Sequence, residues 1–127
     1  MSKNRVISNI FKTSGFIDSF KVSIKGVLYL FIYHRNMRII FLCGLAALLC
    51  GFLLRLKGLE LVALSITVAL VFIAEIFNTA IEMMMDIVSS EHSVKIKLIK
   101  DIAAAVVVIT CVNALAVAYI LFWRKLW

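Results

Sequence analysis

A chain of 127 residues with 64% apolar residues, 17% charged residues and no proline is far more apolar than a water-soluble domain, where that fraction is about 45–50%. Its formal net charge of +7 would suit nucleic acid, but the basic residues are scattered along segment ends and never cluster beside aromatic platforms. That pattern excludes nucleic acid as a partner and points to anionic lipid headgroups and a bilayer.

The first 14 residues are polar and the first long apolar stretch begins only after residue 36, so no cleavable signal is expected and that stretch should serve as an uncleaved anchor. Ahead of it, Phe16, Phe20, Ile24, Val27 and Phe31 recur at helical spacing, with Asp18, Lys21 and Lys25 on the other side. The spacing predicts an amphipathic helix lying on the cytoplasmic membrane surface, so that residues 1–36 form a cytoplasmic tail and surface helix.

Between Arg38 and Arg55 lie 16 uncharged residues, Ile39 to Leu54. They suffice for a first span over about 38–55 if the flanking arginines snorkel toward the headgroups. Arg55-Leu56-Lys57-Gly58 reads as a tight polar break with glycine as the turn residue. Leu61 to Val88 then runs 28 residues without proline, a second helix over about 60–88 that outruns a hydrocarbon core of about 30 Å.

Ser89 to Lys100 reads as a polar connector with Lys95, Lys97 and Lys100. Ile102 to Trp123 gives 22 uncharged residues, a third span over about 100–123 ending in the belt Trp123-Arg124-Lys125. The predicted fold is an all-α integral membrane bundle: one amphipathic N-terminal surface helix plus three transmembrane helices, one domain over 1–127. Seven Lys and Arg precede the first span and three lie in the second connector, against two in the first turn and two at the carboxyl end. This count places the N-terminus and the second connector in the cytoplasm of a multi-pass protein. Cys43, Cys50 and Cys111 lie inside apolar runs without ligand spacing and read as small buried apolar residues. The three consecutive alanines Ala103 to Ala105 offer the third span a small-residue face.

The chemistry is concentrated in the second span. At about 100° per residue, Glu75, Asn78, Thr79, Glu82 and Asp86 fall within an arc of about 100°, a polar row on an otherwise apolar helix. An acidic residue near mid-membrane costs about 2.5–3.5 kcal/mol on insertion scales, which packing alone gives no reason to incur. Glu82 and Asp86, near the cytoplasmic end, can instead project into water or pair with connector lysines. Carboxylates and an amide at this spacing suit two tasks, holding a hard cation such as Mg²⁺ through oxygen and taking a proton from a hydroxyl. Phosphoryl transfer needs both, and Lys100-Asp101 at the same membrane face could meet phosphate and metal. No glycine-rich phosphate loop occurs among the five glycines, so a nucleotide would be held by metal, lysine and carboxylates.

Glu75-x-x-Asn78-Thr79-Ala80-Ile81-Glu82-x-x-x-Asp86, then Ser90-Glu91, then Lys100-Asp101-x-Ala103-Ala104, resembles the bacterial diacylglycerol kinase and undecaprenol kinase family, without gaps from about Ser19 to the carboxyl end. The Asn78 to Glu82 variant with Asn36-Met37-Arg38-Ile39 is more similar to the undecaprenol kinase branch. The resemblance implies a homotrimeric bacterial cell-membrane enzyme, with sites shared between copies, that transfers the γ-phosphoryl of ATP, with Mg²⁺ or Mn²⁺, to a lipid alcohol, undecaprenol or otherwise diacylglycerol. It also implies roles. Glu75 would be the catalytic base and Glu82 the ligand of the ATP-associated metal. Asn78 and Asp86 would support them, and Glu91, Lys100 and Asp101 would contact the nucleotide.

Two positions depart from the family: Leu28 stands where many relatives carry arginine, and His34 stands where a second metal-binding glutamate is usual, imidazole being a poor ligand for Mg²⁺. The second departure motivates an alternative, an inactive relative acting as an assembly partner. A small proton-coupled transporter would also use an intramembrane glutamate such as Glu75. It would not need the row to continue through Glu82 and Asp86 toward the cytosol.

Overall fold

The computed structural model describes residues 15–88 and 93–127. These form four helices, α1 (Phe16–Tyr33), α2 (Arg35–Leu53), α3 (Leu59–Val88) and α4 (Val94–Leu126), in two compact units that divide between His34 and Arg35. The helices α2, α3 and α4 are each long and apolar enough to cross a bilayer. The polar tail before residue 15 and the connector residues Ser89 to His92, Glu91 among them, lie outside the described residues.

In the first unit, α1 buries no residue and leaves Phe16, Phe20, Ile24 and Val27 exposed. Tyr29 and Tyr33, one turn apart, bring their rings to 4.7 Å between centroids, and the His34 ring lies 6.1 Å from Tyr29. His34 is extended (φ −114°, ψ 109°) and its backbone N–H donates to the Leu30 carbonyl, which ends the helix.

In the second unit α3 is the middle element, packed against both α2 and α4. Two glycines let α2 come close. A Cβ on Gly44 would stand 2.7 Å from Val68 Cγ1, and one on Gly51 would stand 2.7 Å from Leu64 Cδ2 and 3.1 Å from Leu56 Cδ1. The two glycines are seven residues apart, and so lie on one face at the near-3.5 spacing of a helix-packing seam. Phe41 and Phe72 extend the contact, with ring centroids 6.1 Å apart.

The turn after α2 departs from the expected polar break. Arg55, rather than the glycine, takes the first left-handed position (φ 56°), with Gly58 second (φ 55°). The N–H of Leu56 donates to the Gly51 carbonyl and that of Arg55 to Phe52, the paired bonds of a Schellman helix end. That geometry turns Leu56 inward, where it is buried and joins Leu64 and Leu121 in the apolar core at this end of the bundle.

Helix α4 starts at Val94, so half of the expected connector is helix. Ser93 stands at its N-cap with no side-chain cap bond, and Lys97 Nζ donates to Asp101 Oδ2 at 3.0 Å one turn on. The inward face of α4 reads Ile96, Lys100, Ala103, Val107, Thr110, Ala114, Val117 and Leu121, all buried or half-buried. These residues alternate by four and three, the period of a long antiparallel seam. Only Ala103 of the three alanines points inward, since steps of about 100° cannot put neighbours on one face. Cys43 and Cys50 are exposed rather than buried, and Cys111 is half-buried. Apolar sequence signals burial in protein or in lipid alike, and α2 keeps these two thiols out of the contact with α3.

Ion pairs close the α3–α4 hairpin at both ends. Lys125 reaches Glu60 at 3.0 Å, and Lys100 Nζ donates to Asp86 Oδ1. Each pair is partly exposed and screened by solvent, so it adds little to stability. Their larger use is as markers of register, since they fix which residues stand at equal height.

Candidate functional site on the middle helix

The row predicted on the second span exists on α3, and packing divides it in two. Glu75, Asn78 and Thr79 are buried, at 4%, 8% and 2% exposure, on the face that also buries Leu64, Thr67 and Ala74. Glu82 and Asp86, two and three turns further on, are exposed. One helix face thus carries a carboxylate enclosed by protein and leads from it to carboxylates open to solvent. Glu75 lies about 10 Å along the axis from Glu82, at about 1.5 Å per residue.

Height follows from the register. Counting eleven residues inward from Asp86 and from Lys100, or fifteen inward from Glu60 and from Lys125, sets Glu75 level with Thr110 and Cys111 of α4. The uncharged run of α4 from Ile102 to Trp123 is about 33 Å long, the thickness of a hydrocarbon core. By the same count the edge of that run at Ile102 is level with Met83 and Met84. Glu82 therefore stands at the edge of the core, and Glu75 about 12 Å inside it. Burying a charge-bearing group there requires interactions that offset its desolvation, and Glu75 is engaged by an interaction within the chain.

Asn78 supplies a second signal. Its Oδ1 is buried without a hydrogen-bond partner among the described residues, a state that costs about 1–3 kcal/mol. An acceptor left so is available to a donor or a cation brought by a ligand. Thr67 by contrast satisfies itself, donating to the Ala63 carbonyl at 2.7 Å. Thr110 on α4 does the same with Val107 at 2.9 Å. Neither threonine was marked by the sequence, because a self-satisfied threonine in an apolar helix carries no charge signal.

Two of the residues expected at the nucleotide end are paired, Lys100 with Asp86 and Asp101 with Lys97. The pairing of Asp86 with a connector lysine is the simpler of the two roles open to it from sequence. Glu91 lies outside the described residues, and His34 belongs to the first unit. Among the described residues no three His, Cys, Asp or Glu side chains gather as a metal cluster. The donors that the row offers, Glu82, Asp86 and the unpartnered Asn78 oxygen, are all oxygen. That set fits a hard cation such as Mg²⁺, which completes its shell with water and substrate phosphates.

Residues 21–122 match the family described as prokaryotic diacylglycerol kinase. Over 100 residues the chain is 35% identical to a diacylglycerol kinase of Synechocystis sp., a match that covers 78% of this chain and 57% of that one. Over 111 residues it is 30% identical to an undecaprenol kinase of Bacillus subtilis, covering 87% of this chain and 90% of that one. The chain thus spans little more than half of the first relative and nearly all of the second. It belongs to the prokaryotic diacylglycerol kinase family, and the enzyme class common to both relatives is the lipid kinase.

Proposed function

We propose that this chain transfers the γ-phosphoryl group of ATP to the hydroxyl of a membrane lipid, undecaprenol in the first place and diacylglycerol otherwise. The observation that carries the reading is the division of one α3 face into a buried carboxylate, Glu75, and exposed carboxylates at the membrane edge, Glu82 and Asp86. A lipid hydroxyl and a soluble charged co-substrate approach from opposite directions, and this face offers a group to each. Glu75 takes the proton of the lipid hydroxyl as its oxygen attacks the γ-phosphorus in line. Asn78 Oδ1 orients the reacting groups beside it. Glu82 and Asp86 would hold Mg²⁺, which when bound neutralises phosphate charge. Lys100, released from Asp86, contacts phosphate oxygen, and Asp101 and Glu91 contact the nucleotide. The active unit is a homotrimer in a bacterial cell membrane, with N-terminus and second connector in the cytoplasm.

The test is transfer of labelled γ-phosphate by purified chain in bicelles to undecaprenol and, separately, to diacylglycerol, with Mg²⁺ and then Mn²⁺. Glu75→Gln should lower turnover by about 10²-fold or more, the scale of a general base, while nucleotide affinity stays within a few-fold. Lost nucleotide affinity with preserved turnover would refute the role of Glu75. No product from folded protein on either lipid with either metal would favour the assembly-partner reading that His34 motivates.

A further inference from the structure

The end of the α3–α4 hairpin opposite to Glu82 and Asp86 holds a charge that packing leaves unbalanced. Leu56 and Leu121 meet in one buried cluster, which brings the α2–α3 turn beside the last turns of α4. Arg55, Lys57, Arg124 and Lys125 therefore share this end with a single acidic side chain, Glu60. Lys125 donates to Glu60 at 3.0 Å. Arg55, Lys57 and Arg124 are exposed and form no ion pair among the described residues. The backbone fixes where Arg55 stands, since its left-handed φ of 56° belongs to the hydrogen-bonded helix end that turns Leu56 inward.

At the same height α4 carries an aromatic ladder. Tyr119 and Trp123 stack with ring centroids 5.6 Å apart and planes inclined by 25°, and the Trp127 ring follows at 6.1 Å from Trp123. All three rings are exposed. Spaced by one turn each, they cover about 12 Å of helix axis. The uncharged run of α4 ends at Trp123, so Tyr119 lies in hydrocarbon, Trp123 at its edge and Trp127 at the height of the headgroups. Such a ladder is apolar where acyl chains begin, and it has indole N–H groups to donate where phosphates stand.

We propose that the α2–α3 turn and the last turns of α4 form a binding surface for the headgroups of anionic phospholipids, with Arg55, Lys57 and Arg124 meeting phosphate and Trp123 and Trp127 beside the glycerol region. Charge selects the occupant. A zwitterionic headgroup carries its own ammonium next to the phosphate and brings no net charge to this end. A headgroup of the phosphatidylglycerol type brings a negative charge to three cations that the chain leaves unpaired. A soluble anion would make no use of the ladder, whose innermost ring stands among acyl chains. The surface rests on the membrane-spanning reading of α4 and is independent of the reaction proposed above.

Trp123 and Trp127 are the only two tryptophans of the chain, so indole fluorescence reports on this surface alone. Full-length chain is placed in vesicles of phosphatidylcholine and phosphatidylglycerol in equal parts, with quenching bromine on the acyl chains of one lipid or of the other. Brominated phosphatidylglycerol should quench more strongly, which marks its enrichment at the indoles. Arg124→Gln, and separately Arg55→Gln with Lys57→Gln, should lower that enrichment by up to roughly five-fold per charge removed, the scale of one basic residue at an anionic surface. Lys95→Gln, at the other end of the hairpin, should leave it unchanged. Equal quenching by the two lipids, or an enrichment that neither set of substitutions lowers, would overturn the proposal. So would displacement of the brominated lipid by inorganic phosphate, which would make the occupant a free anion, or protection of the indoles from both lipids, which would make it protein. Phosphoryl transfer enters none of these readouts, so failure here leaves the kinase reading standing and the reverse holds too.

Discussion

Asn78 separates stability from function at a single atom. Its Oδ1 is buried and unpartnered among the described residues, so the folded chain bears the desolvation of that oxygen with no bond in return. Leucine has a similar volume and no polar atom, and buried polar groups replaced by apolar ones of like shape are often neutral or stabilising. Asn78→Leu should therefore leave stability unchanged or raise it by about 1 kcal/mol, measured as the shift in an unfolding midpoint in mixed micelles, while turnover falls sharply. A variant that loses stability and activity together would instead make Asn78 a structural residue. Glu75 shows what sequence can say at this scale. Its place on a polar arc was legible from spacing, but its enclosure, against the exposure of Glu82 and Asp86 on the same arc, depends on which helices cover which turns.

At the level of elements, the three spans were legible because a run of uncharged residues long enough for a bilayer has few alternatives. The ends were less so. The start of α4 at Val94 is concealed by lysines that composition assigns to a loop, though Lys97–Asp101 one turn apart and the seam through Ile96 and Lys100 support helix there. The turn after α2 was hidden for a different reason, since its inward Leu56 follows from backbone hydrogen bonding rather than from polarity. The glycines of α2 carry a signal that only a neighbouring helix makes readable. A methyl on Gly51 meets Leu64 and Leu56, and a methyl on Gly44 meets Val68, whose branched side chain is stiff at χ1. Gly51→Ala and Gly44→Ala should each destabilise by about 1–3 kcal/mol, the cost of overpacking, despite alanine being the better helix former. Gly26→Ala on α1, where a Cβ would meet nothing within 4 Å, is the control and should be stabilising by a few tenths of a kcal/mol to about 1 kcal/mol. Thermal unfolding midpoints in mixed micelles compare the three. Equal effects at all three glycines would mean that propensity, not helix approach, governs α2.

For the molecule as a whole, the two ends of the α3–α4 hairpin are unequal in a way that bears on its orientation. The end with the α2–α3 turn carries Arg55, Lys57, Arg124 and Lys125, one of them paired with Glu60. The other end carries Lys95, Lys97 and Lys100 and, by the count of spans, shares its side of the bilayer with the seven basic residues that precede the first span. Positive charge near short loops is retained in the cytoplasm, so a bias of ten against four favours the N-terminus and the Ser93 end inside and the Lys57 turn outside. The proposed function requires the same orientation, because Glu82 and Asp86 must open to the compartment that holds ATP. In a chain whose three native cysteines are replaced by serine, a membrane-impermeant thiol reagent should label Lys57→Cys in intact cells and Ser93→Cys only after the membrane is opened. The inverse pattern would place the exposed carboxylates away from cytosolic nucleotide and remove the physical basis for assigning them to it, whatever the fold.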